Sequence, residues 1–302
     1  MKLKLILLTV LAAFLCNNIR AEEPLIKFGV VTDLHYSPKH EENKKHPQRM
    51  YKISNKKLQE AVNTFNQENV AFTAILGDII DKYAESFNDL KPILKTLNNP
   101  YHIVLGNHDF IDVYGSKAQN EALKILGVKK PYYSFVKNNI RFIFLDSNDL
   151  ALYSRGENTP EGKEIRALYN KLKAEKARSA SKYNGTLSQK QIDWMVKLIE
   201  KSQKKNQQVI CFAHMPLLPT NIGGTDMLGK KISQILEKYP NVKAYLSGHH
   251  HEGSQYLKTS VKYYNFQGMI EGNNNHYSVV SLYKDRLEVK GYGEQESTTI
   301  RF

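Results

Sequence analysis

Cysteine is scarce in this chain: Cys16 and Cys211 are the only two in 302 residues. Cys16 falls in an N-terminal segment that reads as a removable leader, so no internal disulfide is expected. A chain of this length buries enough surface without such staples. Cys211 sits in the apolar run 209–213 and is expected to be a small core residue, not a nucleophile. No run approaches the ~20 apolar residues that a membrane span needs. Acidic residues are also few, 30 against 43 Lys and Arg, for a net charge of +13. That balance favours anionic partners such as phosphorylated metabolites. Basic stretches interleaved with aromatics, the mark of nucleic-acid binding, are missing. Repeats and low-complexity segments are missing too. Charged residues at 24% beside 41% hydrophobic ones argue for a globular chain over a disordered one.

What is present begins with the leader. Lys2 and Lys4 precede the stretch LILLTVLAAFL at 5–15. Polar Asn17, Asn18 and Arg20 follow, then Ala21 as a cleavage residue. This is the pattern of a secretory signal peptide, and the apolar stretch is too short for an anchor. Export is expected, to a periplasm or to the outside. Residues 22–302 then form a single domain with no membrane span. Asn184-Gly185-Thr186 matches a short glycosylation acceptor pattern.

The remaining chain alternates strands and helices. The runs 26–32, 70–76 and 101–105 are apolar and β-branched and read as buried strands. Between them, Leu58, Ala61, Val62 and Phe65 mark a helix over 50–68. Phe87, Leu90, Leu94 and Leu97 mark another. This order implies parallel βαβ units and an α/β fold. Residues 132–135 and 140–145 read as a hairpin around Asn138-Asn139. A polar insertion spans 147–186, with a helix near 161–178. Helices at 188–203 and 226–238 alternate with strands at 209–213 and 242–246. Short strands at 256–257, 261–266, 277–282 and 287–292 predict an antiparallel sheet closing the domain.

Five segments follow directly on predicted strands. They are Asp33-Leu34-His35, Gly77-Asp78, Gly106-Asn107-His108-Asp109, Ala213-His214 and Gly248-His249-His250-His251. In an α/β sheet, groups just past the strand C-termini meet in one crevice. Two carboxylates, an amide oxygen and several imidazoles make a sulfur-free ligand set suited to Mn, Fe or Zn. There are enough of them for two divalent cations, which together polarise a phosphoryl group and ionise a shared water.

The five segments resemble the metallophosphoesterase (calcineurin-like phosphoesterase) superfamily, whose pattern runs DxH, GD, GNHD/E, H, GHxH. The resemblance implies a four-layer αββα sandwich of two mixed β-sheets flanked by helices. It implies that Asp33, His35, Asp78 and His251 hold one metal, and that Asp78, Asn107, His214 and His249 hold the other. His108 would protonate the departing oxygen and touch the phosphate, oriented by Asp109. A metal-bridging hydroxide would attack phosphorus. Manganese is the favoured ion, with Fe, Zn or Mg sharing such ligands.

A narrower likeness runs over nearly the whole mature chain. Arg49-Met50-Tyr51, Gly77 to Asp81, Asn184-Gly185 before Leu187-Ser188-Gln189, and Phe266 to Glu271 are similar to manganese-dependent ADP-ribose/CDP-alcohol diphosphatases. Arg49 falls where that group has an active-site arginine, and it is the candidate here for gripping a phosphate. His35 stands where that group carries Gln, and the wider superfamily has His. The expected substrate is a small phosphorylated or nucleotide-like molecule, with cleavage of a nucleoside-diphosphate-linked compound in front. A phosphomonoesterase or phosphodiesterase of broad specificity stays open, and so does a scaffold without activity. His40, His46, His102 and His276 are read as structural or surface residues.

Overall fold

The computed structural model describes residues 22–40, 44–81, 83–110 and 117–302. The leader at 1–21 lies outside them. A βαβαβ unit comes first: β1 (Ile26–Val31), α1 (Ser54–Gln67), β2 (Thr73–Ile75), α2 (Phe87–Leu94) and β3 (Tyr101–Ile103). Then follow α3 (Ala118–Leu126), β4 (Tyr133–Lys137), β5 (Ile140–Phe144), β6 (Leu150–Ala151), α4 (Pro160–Ala174), β7 (Gly185–Thr186), α5 (Gln189–Gln203) and β8 (Gln208–Phe212). The chain closes with α6 (Gly229–Leu236), β9 (Val242–Ser247), β10 (Ser254–Tyr256), β11 (Lys262–Asn265), β12 (His276–Leu282), β13 (Arg286–Gly293) and β14 (Thr298–Arg301).

These strands make two six-stranded mixed sheets. One runs β14-β13-β12-β1-β2-β3, the other β10-β11-β9-β8-β5-β4, and β6 pairs β7 separately. β1, β2 and β3 are parallel neighbours. So are β5, β8, β9 and β11 in the second sheet.

Period-two alternation decides the layers. Phe28 and Val30 of β1, with Ile210 and Phe212 of β8, enter the core between the sheets. Phe28 stacks on Phe72 at 5.1 Å and meets Phe212 edge-on at 5.6 Å. Val31 faces outward onto Leu58, Val62 and Phe65 of α1 and Leu90 of α2. Val209 and Cys211 face outward onto Ile192, Met195 and Ile199 of α5 and Ile232 of α6. Helices therefore cover both outer faces, giving four layers. Burial raises the Cys211 thiol to about 12, which keeps it inert.

Two helices start on side-chain caps. Ser188 caps α5 by accepting from the Gln191 N–H, and Thr159 caps α4 by accepting from Gly162 with Pro160 in the first turn. α4 packs on its own small apolar cluster of Leu150, Ile165 and Met227.

Several features differ from the sequence reading, among them the strands β6, β7 and β14, which it did not include. α3 was not anticipated. The tail does not form one antiparallel sheet: β12, β13 and β14 extend the first sheet through β1, while β10 and β11 join the second. β11 even pairs with β9 in parallel. Short alternating strands carry no mark of which sheet edge they will extend. Finally, Asn184 is not a surface acceptor. It is 1% exposed, and its Nδ2 donates to the carbonyls of Ser179, Gly223 and Thr225.

Candidate metal centre

The turns after β1, β2, β3, β8 and β9 bring the five segments together. Tight backbone approach makes this possible. A Cβ at Gly106 would collide with the backbone N and Oδ1 of Asp78, and one at Gly248 with Oγ1 of Thr32. Asp33, His35, Asp78 and His249 all take left-handed backbone angles, with φ from 43 to 69°. Side chains rarely accept that conformation, at about 1–3 kcal/mol each, and such strain gathers at functional sites.

Three groups of potential ligands result, one of them His35, Asp81 and His108; the two made wholly of predicted metal ligands are Asp33, His35 and His251, and Asp78, His214 and His249. Asp78 joins them. Its Oδ2 lies 3.4 Å from His35 Nε2 and 3.3 Å from His214 Nε2. Asn107 Oδ1 lies 3.2 Å from His214 Nε2. All seven sequence-predicted ligands thus converge.

Hydrogen bonding sets what these groups present. The carbonyl of Leu76 can only accept, so the 2.7 Å contact makes His214 Nδ1 the protonated nitrogen. Its Nε2 lone pair then faces the oxygens of Asp78 and Asn107. Asn184 spends its N–H groups on carbonyls, so its Oδ1 accepts from His249 Nε2 at 3.1 Å. The Nδ1 lone pair of His249 consequently faces His214 Nε2 at 3.0 Å. Glu271 accepts from His251 Nδ1 at 2.6 Å, turning His251 Nε2 toward Asp33 Oδ1 at 3.3 Å and His35 Nε2 at 3.1 Å.

Each carboxylate has one oxygen tied to the protein. Asp33 Oδ2 accepts from Thr32 Oγ1 and the His249 N–H; Asp78 Oδ1 accepts from the His108 N–H. Asp33 Oδ1 and His35 Nδ1 are buried without a hydrogen bond. Acceptors facing acceptors in a buried site repel unless a positive charge lies among them. The donor set therefore fits divalent cations.

Without an ion, the same field draws protons onto two of these imidazoles in place of a cation. Burial alone would lower the His214 and His251 imidazoles, but Asp78 and Asp33 respectively outweigh it and raise each to about 9. Burial and the neighbouring His214 drop His249 to about 3. Burial would raise Asp78, yet His214, His108 and His35 hold it well below the usual carboxylate range. The field draws positive charge to these nitrogens and keeps the Asp33 and Asp78 carboxylates ionised.

His108 sits at the cleft edge with its side chain 33% exposed. Its orienting partner is not Asp109. The Asp109 carboxylate instead accepts from the backbone N–H groups of Asp78, Ile79, Ile80 and Gly106. Burial and Asp78 push it up to about 7, against the pull of those donors. Asp109 therefore fastens the β2 and β3 turns together. The partner of His108 is Asp81, whose Oδ1 lies 2.7 Å from His108 Nδ1. Burial opposes the charged ring, but Asp78 and Asp81 outweigh it and raise His108. Asp81 also holds His40 at 3.2 Å, and His40 stacks on Tyr51. A carboxylate three residues beyond Asp78 on one turn was the signal for Asp81. Glu271 and Asn184 lay within quoted stretches of sequence, but their roles depend on contacts across 20 and 65 residues.

Above the clusters lies a cleft of about 380 Å³ lined by Asp78, His108, Arg49, His46, Tyr183 and Gly224, among others. Arg49 is fixed through its Nε, 3.2 Å from Glu271 Oε1.

The calcineurin-like phosphoesterase model matches residues 26–253. The chain belongs to that family. As a calcineurin-like phosphoesterase it is a metal-dependent hydrolase of phosphoric esters or anhydrides. Two similar proteins are manganese-dependent ADP-ribose/CDP-alcohol diphosphatases. The one from Arabidopsis thaliana is 27% identical over 92% of this chain and 97% of its own length. The one from Xenopus tropicalis is 26% identical over 94% and 96%. The fold matches the crystal structure of a dimetal phosphatase from Danio rerio, with a TM-score of 0.82 and 23% identity, over 93% of this chain and all of that one. The two mixed sheets and their helices are thus those of this family's fold.

Proposed function

We propose that this phosphoesterase is an exported enzyme that cleaves the diphosphate of nucleoside-diphosphate-linked small molecules, of the ADP-ribose or CDP-alcohol type. The carrying observation is Asp78 Oδ2, within 3.4 Å of an imidazole in each cluster, directly below the cleft. Asp33, His35, Asp78 and His251 would hold one cation, and Asp78, Asn107, His214 and His249 the second, manganese by analogy with the relatives. Bound there, two divalent cations polarise the phosphoryl group and supply an activated water at neutral pH.

The chain's own residues do the rest. Arg49, held by Nε, offers its terminal nitrogens for a forked grip on a phosphate. Asp81 keeps the Nδ1–H of His108 turned inward, so Nε2 delivers a proton to the departing oxygen. Tyr183, 67% exposed and lining the cleft, offers a ring face for a nucleobase. The leader pattern at 1–21 supports export.

The test is hydrolysis of ADP-ribose and CDP-alcohols with Mn²⁺, products resolved by chromatography. A nucleoside monophosphate as product supports the reading. Release of inorganic phosphate from monoesters alone would favour the second reading, a phosphomonoesterase. His35, in place of the diphosphatases' Gln, speaks for that alternative.

A further inference from the structure

The cleft does not end at Arg49. A second arm of about 480 Å³ shares His46, Arg49, His249 and His251 with the first. Beyond them it reaches Gln48, Glu252, Gln267 and His276. A phosphate gripped by Arg49 therefore stands at a junction, with Tyr183 on one side and this arm on the other.

The lining of the arm is distinctive. It presents amides, imidazoles and carboxylates, and no Phe, Tyr or Trp among the described residues. Gln267 is held from both ends. Its backbone N–H donates to Gln295 Oε1 at 3.0 Å, and its side-chain Oε1 accepts from the Glu296 N–H at 3.2 Å. The second contact fixes which way the amide faces. Its Nε2 makes no hydrogen bond among the described residues, so a pre-oriented donor pair is left for a ligand. Glu271 is committed to His251 and Arg49. Glu252 is 90% exposed, so solvent screens its charge. A quaternary ammonium group is recognised by a cage of aromatic faces. That cage is missing here, whereas hydroxyls need just such fixed donors and acceptors.

We infer that the second arm receives a hydroxyl-rich group on the far phosphate, a polyol or pentose, and that Gln267 is a specificity-determining residue for it. This rests on the diphosphatase reading above. A rigid donor that is already oriented loses little freedom on binding, so its contribution appears in KM.

CDP-glycerol and CDP-choline share base and diphosphate and differ only in the group entering this arm. Steady-state kinetics with Mn²⁺ on the full mature chain compare them. The expected wild-type ratio of kcat/KM favours CDP-glycerol by about tenfold. Gln267→Ala and Gln267→Glu each lower that ratio three- to tenfold by raising KM for CDP-glycerol. Gln267→Glu keeps the oxygen that accepts from Glu296, so a collapsed loop would not explain its effect, but it exchanges the donors for a negative charge; Gln267→Ala, which adds no charge, separates lost donors from altered electrostatics. A ratio untouched in both variants overturns the inference, as does a wild-type preference for CDP-choline. Wild-type protein that cleaves an aryl phosphate but neither CDP ester refutes the diphosphatase reading itself, and the inference with it.

Discussion

His108 Nδ1 lies 2.7 Å from Asp81 Oδ1, three residues along the same turn as the shared carboxylate of Asp78. The pair makes His108 a cationic acid whose Nε2 faces the cleft. On the proposed mechanism, replacing it by Ala removes the general acid, which typically supplies ~10²–10⁴-fold. Asp81→Asn leaves the ring but removes the charge behind it, and about a tenfold to hundredfold loss in kcat is expected. Both variants should keep the metal content of the wild type, measured by elemental analysis. Normal turnover in either would remove that residue from the proton path.

Glu271 touches His251 and Arg49 with one oxygen. It fixes the tautomer that aims His251 Nε2 at Asp33. Loss of such a partner typically weakens metal affinity 10–100-fold. Glu271→Ala should show this in Mn²⁺ titration calorimetry. Arg49→Lys should raise KM while leaving Mn²⁺ affinity near the wild-type value. Equal metal affinity in Glu271→Ala and wild type would refute the orienting role.

Asn184 ties three loop carbonyls and the ring of His249 to one amide. Asn184→Ala leaves buried acceptors unpaired, for a loss of about 1–3 kcal/mol in unfolding free energy. Urea denaturation reads this directly. Expression in a glycosylating host should add no mass at Asn184, because the folded chain buries its side chain; a glycan there on native protein would contradict this packing.

His102 stacks on Phe135 at 4.4 Å, and burial lowers its imidazole to about 4. The unfolded chain, with its imidazole near 6.5, binds more protons across the window from about pH 6.5 to 4. Stability from this residue is therefore present above pH 6.5 and lost as pH falls to 4. The ring keeps some solvent contact, so the loss is about 1–2 kcal/mol, not the larger figure of a sealed site. His102→Phe should be less acid-sensitive than wild type when urea midpoints at pH 7 and 4.5 are compared in EDTA. Identical acid losses would show that His102 titrates normally.

The metal cluster was legible because its residues sit at strand ends, and strand ends of an α/β sheet meet wherever the helices go. That rule alone brings Asp33, Asp78, Asn107, His214 and His249 together; which of them would share an ion came from the family resemblance. The groups behind them were not legible. Asp109 follows His108 in sequence, but a short 3₁₀ turn at Asn107–Phe110 turns its carboxylate away to four backbone N–H groups. Asp81 gains its role through a contact across 27 residues. Asn184 matched a surface pattern because three letters carry no information about depth. The tail strands could be seen singly, but their sheet could not. β11 reads like β12, and only the packing of Tyr263 beside Tyr245 on the outer face of the second sheet separates them.

The ligand-bearing turns come from both sheets: Asp33, Asp78 and Asn107 follow strands of one, His214 and His249 strands of the other. Cations seated among them would rivet the two halves of the sandwich across their apolar interface. Loading would then harden the whole scaffold, and the melting temperature would climb with the logarithm of free manganese. A chelator would do more than silence such an enzyme; it would unfasten the seam and expose the phenylalanine-rich interior to proteases.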